Sequence, residues 1–148
     1  MAELVIRAAT QADASHIRAL IRLVRINPMS LDWTRFLVAS SADGRLAACA
    51  QIKPHADGTC ELASLAVHPD FRGRGLARAL VERLLAGSPR PLYLTCRSGL
   101  GPLYEKFGFR PVSRDELTPY FRRIQKLAHR MMSIFGDGET LLVMRLDS

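Results

Sequence analysis

The densest chemistry in the chain lies in six residues, Arg72-Gly73-Arg74-Gly75-Leu76-Ala77. They follow the run Glu61-Leu62-Ala63-Ser64-Leu65-Ala66-Val67 and precede a helical pattern, so the chain passes here from a strand to a helix. The first N–H groups of a helix have no partner within it, and the helix dipole stands behind them. With Arg72, Arg74 and Arg78 around them, they suit an anion such as a phosphate. Glycine at 73 and 75 lets that anion come close to the backbone. The other reactive side chains show no such arrangement. Cys49, Cys60 and Cys96 are odd in number, lie in apolar runs and lack CxxC or Cys/His spacing, so they read as buried core thiols without disulfide or zinc. His16, His55, His68 and His129 make no ligand spacing, and His68 reads as a turn residue, so no metal is expected.

Placing that turn requires the elements around it. Leu4-Val5-Ile6 is a short strand, and Thr10 with Asp13 opens a helix that turns Ile17, Leu20, Ile21 and Val24 inward and ends at Asn27-Pro28. After a loop or short helix at 29–33, strands are expected at 35–39, 45–53 and 59–67, joined by the hairpin signals Asp43-Gly44 and Asp57-Gly58. Leu76, Ala77, Leu80, Val81, Leu84 and Leu85 recur at helical spacing until Gly87-Ser88-Pro89. A strand at 91–96, a short helix at 101–107, a strand at 109–112 and a last strand at 140–146 complete the order β-α-β-β-β-α-β-α-β-α-β. Before that last strand, 113–138 holds two helix starts, the capping box Ser113/Glu116 and a cap at Thr118-Pro119. The helix beyond carries the apolar stripe Phe121, Ile124, Leu127, Ala128, Met131, Ile134 and Phe135. Its basic face is Arg122, Arg123, Lys126, His129 and Arg130, and Gly136 closes it.

With 148 residues, 48% of them hydrophobic, and no linker, repeat or low-complexity segment, the chain reads as one domain over 1–148. The start lacks a signal-peptide pattern and no apolar run approaches the ~20 residues of a membrane span, so a cytoplasmic protein with no membrane partner is expected. A net charge of +7 implies an anionic partner: nucleic acid, a membrane surface or a phosphate-rich cofactor. One Trp and no aromatic run among the arginines argue against nucleic acid.

Three phosphate motifs use glycine at such a turn. The P-loop requires Gly-Lys-Ser/Thr, where this chain has Gly75-Leu76-Ala77. The dinucleotide fingerprint requires a third Gly where this chain has Arg78, and an acid that Thr95-Cys96-Arg97 does not supply. The third is Arg/Gln-x-x-Gly-x-Gly/Ala, the acyl-CoA motif of the GNAT superfamily of N-acetyltransferases, which Arg72 to Ala77 resembles at every defined position. Glu61 to Pro69 resembles that family's fourth strand and its exit. Leu103-Tyr104-Glu105-Lys106-Phe107-Gly108-Phe109 resembles its second signature. The likeness is dense over 45–112 and topological elsewhere. It implies an α/β fold with a mixed, mostly antiparallel sheet of about seven strands flanked by helices, the extra helical segment lying before the last strand.

The resemblance also implies a reaction, transfer of an acetyl group from acetyl-CoA to a primary amine in a ternary complex. The pyrophosphate would sit on backbone N–H groups from Gly73 to Arg78, with Leu76 and Ala77 in that first turn. The pantetheine arm would run along Leu65, Ala66 and Val67, where an N–H would hold the oxyanion of the tetrahedral intermediate. Alkyl ammonium groups have pKa values of about 10, so a base is needed. Glu61 stands where many relatives carry one, and two-residue alternation groups it with Ala63, Leu65 and Val67; the other reading is a solvent-facing Glu at a strand's start. By motif, Tyr104 is the acid for the leaving thiolate, or else a packing aromatic whose hydroxyl only hydrogen-bonds.

Many relatives place Asn where this chain has Arg97, followed by Ser98-Gly99. Either Ser98 substitutes or the corner does another job. Arg97 could clamp a carboxylate of an amino-acid acceptor or lie exposed near the CoA phosphates. The loop 27–33 with Trp33 is the other candidate acceptor wall. The basic helix reads as a solvated face, as a wall for an acidic acceptor, or as the contact of a homodimer. A small-molecule amine or amino acid is the first acceptor class. Protein lysine or N-terminal acetylation, and a noncatalytic CoA-binding sensor, are the alternatives.

Overall fold

In the computed structural model, residues 3–135 and 138–148 are described, the side chains of 132–135 excepted. Seven strands and four helices follow the expected order: β1 (Leu4–Ala8), α1 (Ala14–Val24), β2 (Phe36–Ser41), β3 (Leu46–Pro54), β4 (Cys60–Val67), α2 (Leu76–Gly87), β5 (Leu92–Arg97), α3 (Gly101–Glu105), β6 (Arg110–Pro111), α4 (Pro119–Phe135) and β7 (Leu141–Leu146). The strands form one seven-stranded sheet, ordered β1-β2-β3-β4-β5-β7-β6. It is mixed: β4 and β5 run parallel, and the pairs β1/β2, β2/β3, β5/β7 and β6/β7 are antiparallel. Contacts divide the chain into two compact units, Met1–Lys53 with Leu62–Ser88, and Pro54–Glu61 with Pro89–Ser148.

In the first unit, β1 pairs Leu4 with Ser41 through to Ala8 with Leu37, and β2 pairs Phe36 with Gln51. Alternation along the strands sorts the core into two faces. Val38, Cys49 and Ala66 pack with Ile17, Leu20 and Ile21 of α1. Ala39, Ala48 and Ala50 pack with Leu76 and Leu80 of α2, where small side chains let the helix lie close. The turn glycines Gly44 and Gly58 carry φ of 86° and 88°, as the two Asp-Gly signals require. Helix α1 stops earlier than Asn27-Pro28: Arg25 takes the left-handed conformation, and the amide of Ile26 donates to the Ile21 carbonyl. Asp32 then caps a short 3-10 turn, Trp33–Arg35, by accepting from the Thr34 amide at 3.0 Å.

In the second unit, β7 pairs with β5 from Leu92–Leu146 to Arg97–Leu141, and β6 keeps only two residues of the strand expected at 109–112. Tyr93, Val112, Leu117, Phe121 and Val143 form its core. The capping box of Ser113 and Glu116 is present. At the start of α4 the expected cap differs, because the Tyr120 amide donates to Asp57 in the β3–β4 turn, at 3.3 Å. The apolar stripe of α4 is also only partly covered. Phe121 is fully buried, but Leu127 and Met131 are 56% and 53% exposed. Periodicity shows that a stripe exists; only the partners under it decide burial, and here they lie beneath the first turns. Ile134, Phe135 and Gly136 fall outside the described side chains and residues.

Candidate active site

The anion turn lies wholly in the first unit. The Pro69–Phe71 3-10 turn ends at Arg72, Gly73 has φ 79°, and Gly75 has φ 73° as the residue before α2. The first bond of the helix runs from the Ala79 amide to the Gly75 carbonyl at 3.0 Å, so the amides of Leu76, Ala77 and Arg78 have no carbonyl within the helix to reach. Nothing lies within 4 Å of where a Cβ on Gly73 or Gly75 would stand, which leaves the backbone open to a ligand. Arg72, Arg74 and Arg78 are exposed around it. Arg74 lies 5.3 Å from the ring centre of buried Phe71, with Arg45 at 4.9 Å from the same ring, and Arg78 bonds Glu82 at 3.0 Å. This set of amides and guanidinium groups fits a pyrophosphate.

Upstream, Ala66 is buried against α1, and Leu65 and Val67 pack toward α2. Ser64 between Ala63 and Leu65 has φ 58°. A left-handed residue breaks the pleat, so the alternation that would group Glu61 with Ala63, Leu65 and Val67 does not run through β4. The Ser64 hydroxyl accepts from the buried Gln51 side chain at 2.9 Å. Trp33 is half-buried against the α1 cluster, and the Met29 carbonyl accepts from buried Lys53 at 3.0 Å.

The second unit holds Glu61. It is only 7% exposed, which removes the solvent-facing reading. His55 Nε2 lies 2.8 Å from its Oε1, and the Thr95 hydroxyl donates to Oε2 at 3.4 Å. The His55 ring stacks on Tyr120 at 3.7 Å and meets Phe121 edge-on; Phe121 stacks on Tyr93. Burial, then the charges of Glu61 and Asp57, push the Tyr120 phenol up. Tyr104, on α3, is half-buried with its ring edge toward Phe109; burial, then Cys96, pushes its phenol to about 12. Burial likewise takes the Cys96 thiol to about 11, with Glu139 adding to the effect, and Cys49 to about 12. Cys60 is half-buried instead of fully enclosed. At the end of β5, Arg97 donates to Glu139 at 3.3 Å, and Ser98 exchanges bonds with Thr140. Arg114, Asp115, Arg122, Lys126, His129 and Arg130 line an open cavity of about 660 Å³ beside α4.

A family model described as Acetyltransferase (GNAT) domain matches residues 32–111, more than half of the chain. The chain belongs to the GNAT acetyltransferases. Among solved GNAT-like structures, N-acetylglutamate synthase from Neisseria gonorrhoeae, complexed with coenzyme A and N-acetyl-glutamate, is 25% identical with a TM-score of 0.71; it covers 100% of this chain and 36% of its own. Rv2747 from Mycobacterium tuberculosis, in complex with CoA, is 20% identical with a TM-score of 0.72 over 97% of this chain and 99% of its own. An acyl-CoA N-acyltransferase from Pseudomonas aeruginosa is 19% identical, TM-score 0.66, over 99% of both chains. The last two show the fold alone. The chain spans about a third of the length of the gonococcal synthase chains. No curated protein matches it.

Sequence reasoning on this GNAT chain missed His55, Thr95 and Tyr120. His55 was legible: the Asp57-Gly58 turn sets His55 opposite Thr59, with the His55 amide on the Thr59 carbonyl at 2.8 Å. Glu61 is then its diagonal neighbour across the hairpin. No local signal brings Tyr120, 59 residues further along than Glu61, to the same place. Among the described residues, no His/Cys/Asp/Glu group could hold a metal and no helix is long and apolar enough to cross a membrane.

Proposed function

We propose that residues 1–148 act as a single N-acetyltransferase domain that moves the acetyl group of acetyl-CoA to the primary amine of a small molecule, an amino acid first among them. The observation that carries this is the Gly73/Gly75 turn at the head of α2, inside the matched GNAT region. Its amides and Arg72, Arg74 and Arg78 hold the pyrophosphate, and the backbone at Leu65, Ala66 and Val67 takes the pantetheine arm and polarises the thioester carbonyl. When bound, acetyl-CoA supplies the activated acyl group. Glu61 removes a proton from the acceptor ammonium so that its nitrogen lone pair can attack the carbonyl carbon. Tyr104, protonated up to about pH 12, points an O–H at the leaving sulfur. Because that phenol is a weaker acid than a thiol near 8.5, its contribution is chiefly the hydrogen bond. Cys49 and Cys96 stay thiols at neutral pH, which supports direct attack without an acyl-enzyme. Arg97, tied to Glu139, and Trp33 are the candidate acceptor contacts.

The gonococcal synthase is complexed with N-acetyl-glutamate, so L-glutamate heads the panel of acceptors. The test is thiol release from acetyl-CoA against amino acids, alkylamines and lysine peptides, with thermal shift in acetyl-CoA alone. Release with a free amino acid or small amine supports this reading. Release with peptides alone makes it a protein acetyltransferase, a shift without release makes it a sensor, and no shift sinks the CoA site.

A further inference from the structure

Glu61 is not a lone carboxylate. Its Oε1 is committed to His55 Nε2 at 2.8 Å, and among the described residues Oε2 has the long 3.4 Å bond from Thr95 alone. The His55 and Glu61 side chains are 10% and 9% exposed, so water does little for either. The imidazole plane is set by the Tyr120 ring stacked on it at 3.7 Å and 21°, with Phe121 meeting it edge-on at 5.7 Å. Tyr120 is in turn fixed by the hydrogen bond its backbone amide donates to Asp57, in the hairpin that carries His55. A ring held by stacking and aimed at one oxygen of a buried carboxylate has a fixed tautomer and a fixed direction.

We propose that His55 is a positioning residue for Glu61: its neutral ring donates Nε2–H to Oε1 and leaves Oε2 as the atom that takes the proton from the acceptor ammonium. This rests on the reading of Glu61 as base. The N–H bond of the ammonium breaks, an O–H bond forms at Oε2, and the electron pair left on nitrogen attacks the thioester. His55 keeps its proton throughout. The titratable and charged groups around the pair are Glu61 on β4, Asp57 in the turn and Tyr120 on α4; Thr95 faces it from β5, and Tyr93 and Arg145 lie behind Phe121.

The decisive variants are His55→Gln, which keeps a donor but cannot titrate, and His55→Ala, which removes it. With acetyl-CoA and the best amine of the panel, H55A should lose about 100-fold in kcat with KM for acetyl-CoA little changed, and H55Q should recover about tenfold of it. Parental kcat in H55A, or no recovery in H55Q, overturns the proposal. A second measurement needs no turnover. Histidine nitrogen NMR at pH 8 should show His55 as the Nε2–H tautomer, and Glu61→Gln should move its Nε2 chemical shift, as exchange of a charged for a neutral acceptor requires. An Nδ1–H tautomer or an unmoved Nε2 shift overturns the pairing. The expected tautomer together with no release from any amine sinks the acetyltransferase reading and leaves the pair standing. Should H55A fail to fold, H55Q and the NMR decide alone.

Discussion

Tyr104 keeps its proton because the half-buried phenol on α3 loses water and faces Cys96, and both disfavour the phenolate. A raised pKa on a tyrosine preserves its neutral, donating form as pH rises, up to about 12. Tyr104→Phe should therefore lower kcat by about 100-fold with KM for acetyl-CoA nearly constant, as expected for a group that acts on the leaving sulfur. The alkaline limb below about pH 11 should be the same in both enzymes, since Tyr104 does not ionise there; a limb that disappears in the variant would show the phenol titrating earlier. Cys96 gives the complementary case. Its thiol stays protonated to about 11 through burial and then Glu139. Cys96→Ala should keep kcat within about twofold, because the thiolate, not the thiol, is the nucleophile. Mass spectrometry of the parent during turnover should show no acetylated cysteine.

Elements were legible where the local pattern decides them and opaque where a distant partner does. The order of strands and helices follows from periodicity and from Asp43-Gly44, Asp57-Gly58 and Gly87-Ser88-Pro89, all of which act within a few residues. The left-handed Ser64 in β4 has no such signal, since serine rarely adopts φ 58° and only the surrounding strand imposes it. The cap of α4 is similar: Thr118-Pro119 marks the right place, yet the carboxylate that meets the Tyr120 amide comes from Asp57, 63 residues away. Asp57→Ala should thus free the first turn of α4 and cost about 0.5–1 kcal/mol, discounted for the exposure of Asp57. Hydrogen exchange at the Tyr120 amide should quicken, and unchanged protection there would return the cap to Thr118. For the anion turn, Gly75→Ala meets no neighbour within 4 Å, so its cost is torsional, about 1–2 kcal/mol at φ 73°. Asn tolerates that conformation better. Acetyl-CoA affinity measured calorimetrically should fall in the order Gly75, Gly75→Asn, Gly75→Ala; equal affinities would remove the turn from the site.

Across the molecule, both units hold a carboxylate well below its usual range by an arginine. In the first unit Arg7 bonds Asp13 at 2.7 and 3.1 Å, and the Thr10 amide adds a third bond, which takes Asp13 to about 2. In the second, Arg110 holds Glu116 at about 2, with Ser113 bonding it as well and Arg145 3.2 Å away. A carboxyl whose folded pKa is depressed is ionised in the folded chain while the unfolded chain, near 4, already binds the proton. Its stabilisation is complete above the unfolded value and is lost as pH falls from about 4 to about 2. The urea midpoint should hence be flat from pH 7 to about 5 and drop steeply below 4, with a midpoint unchanged down to pH 2.5 as the contrary result. Rising positive charge on a chain already at +7 pushes the same way, so the two causes must be separated. Asp13→Asn and Glu116→Gln should each lower stability at pH 7 and shrink the acid drop, because the lost carboxyl no longer takes up a proton. Glu105→Gln changes the net charge equally and should leave the drop as steep as in the parent. If all three variants behave alike, general repulsion and not the two arginine pairs governs acid unfolding.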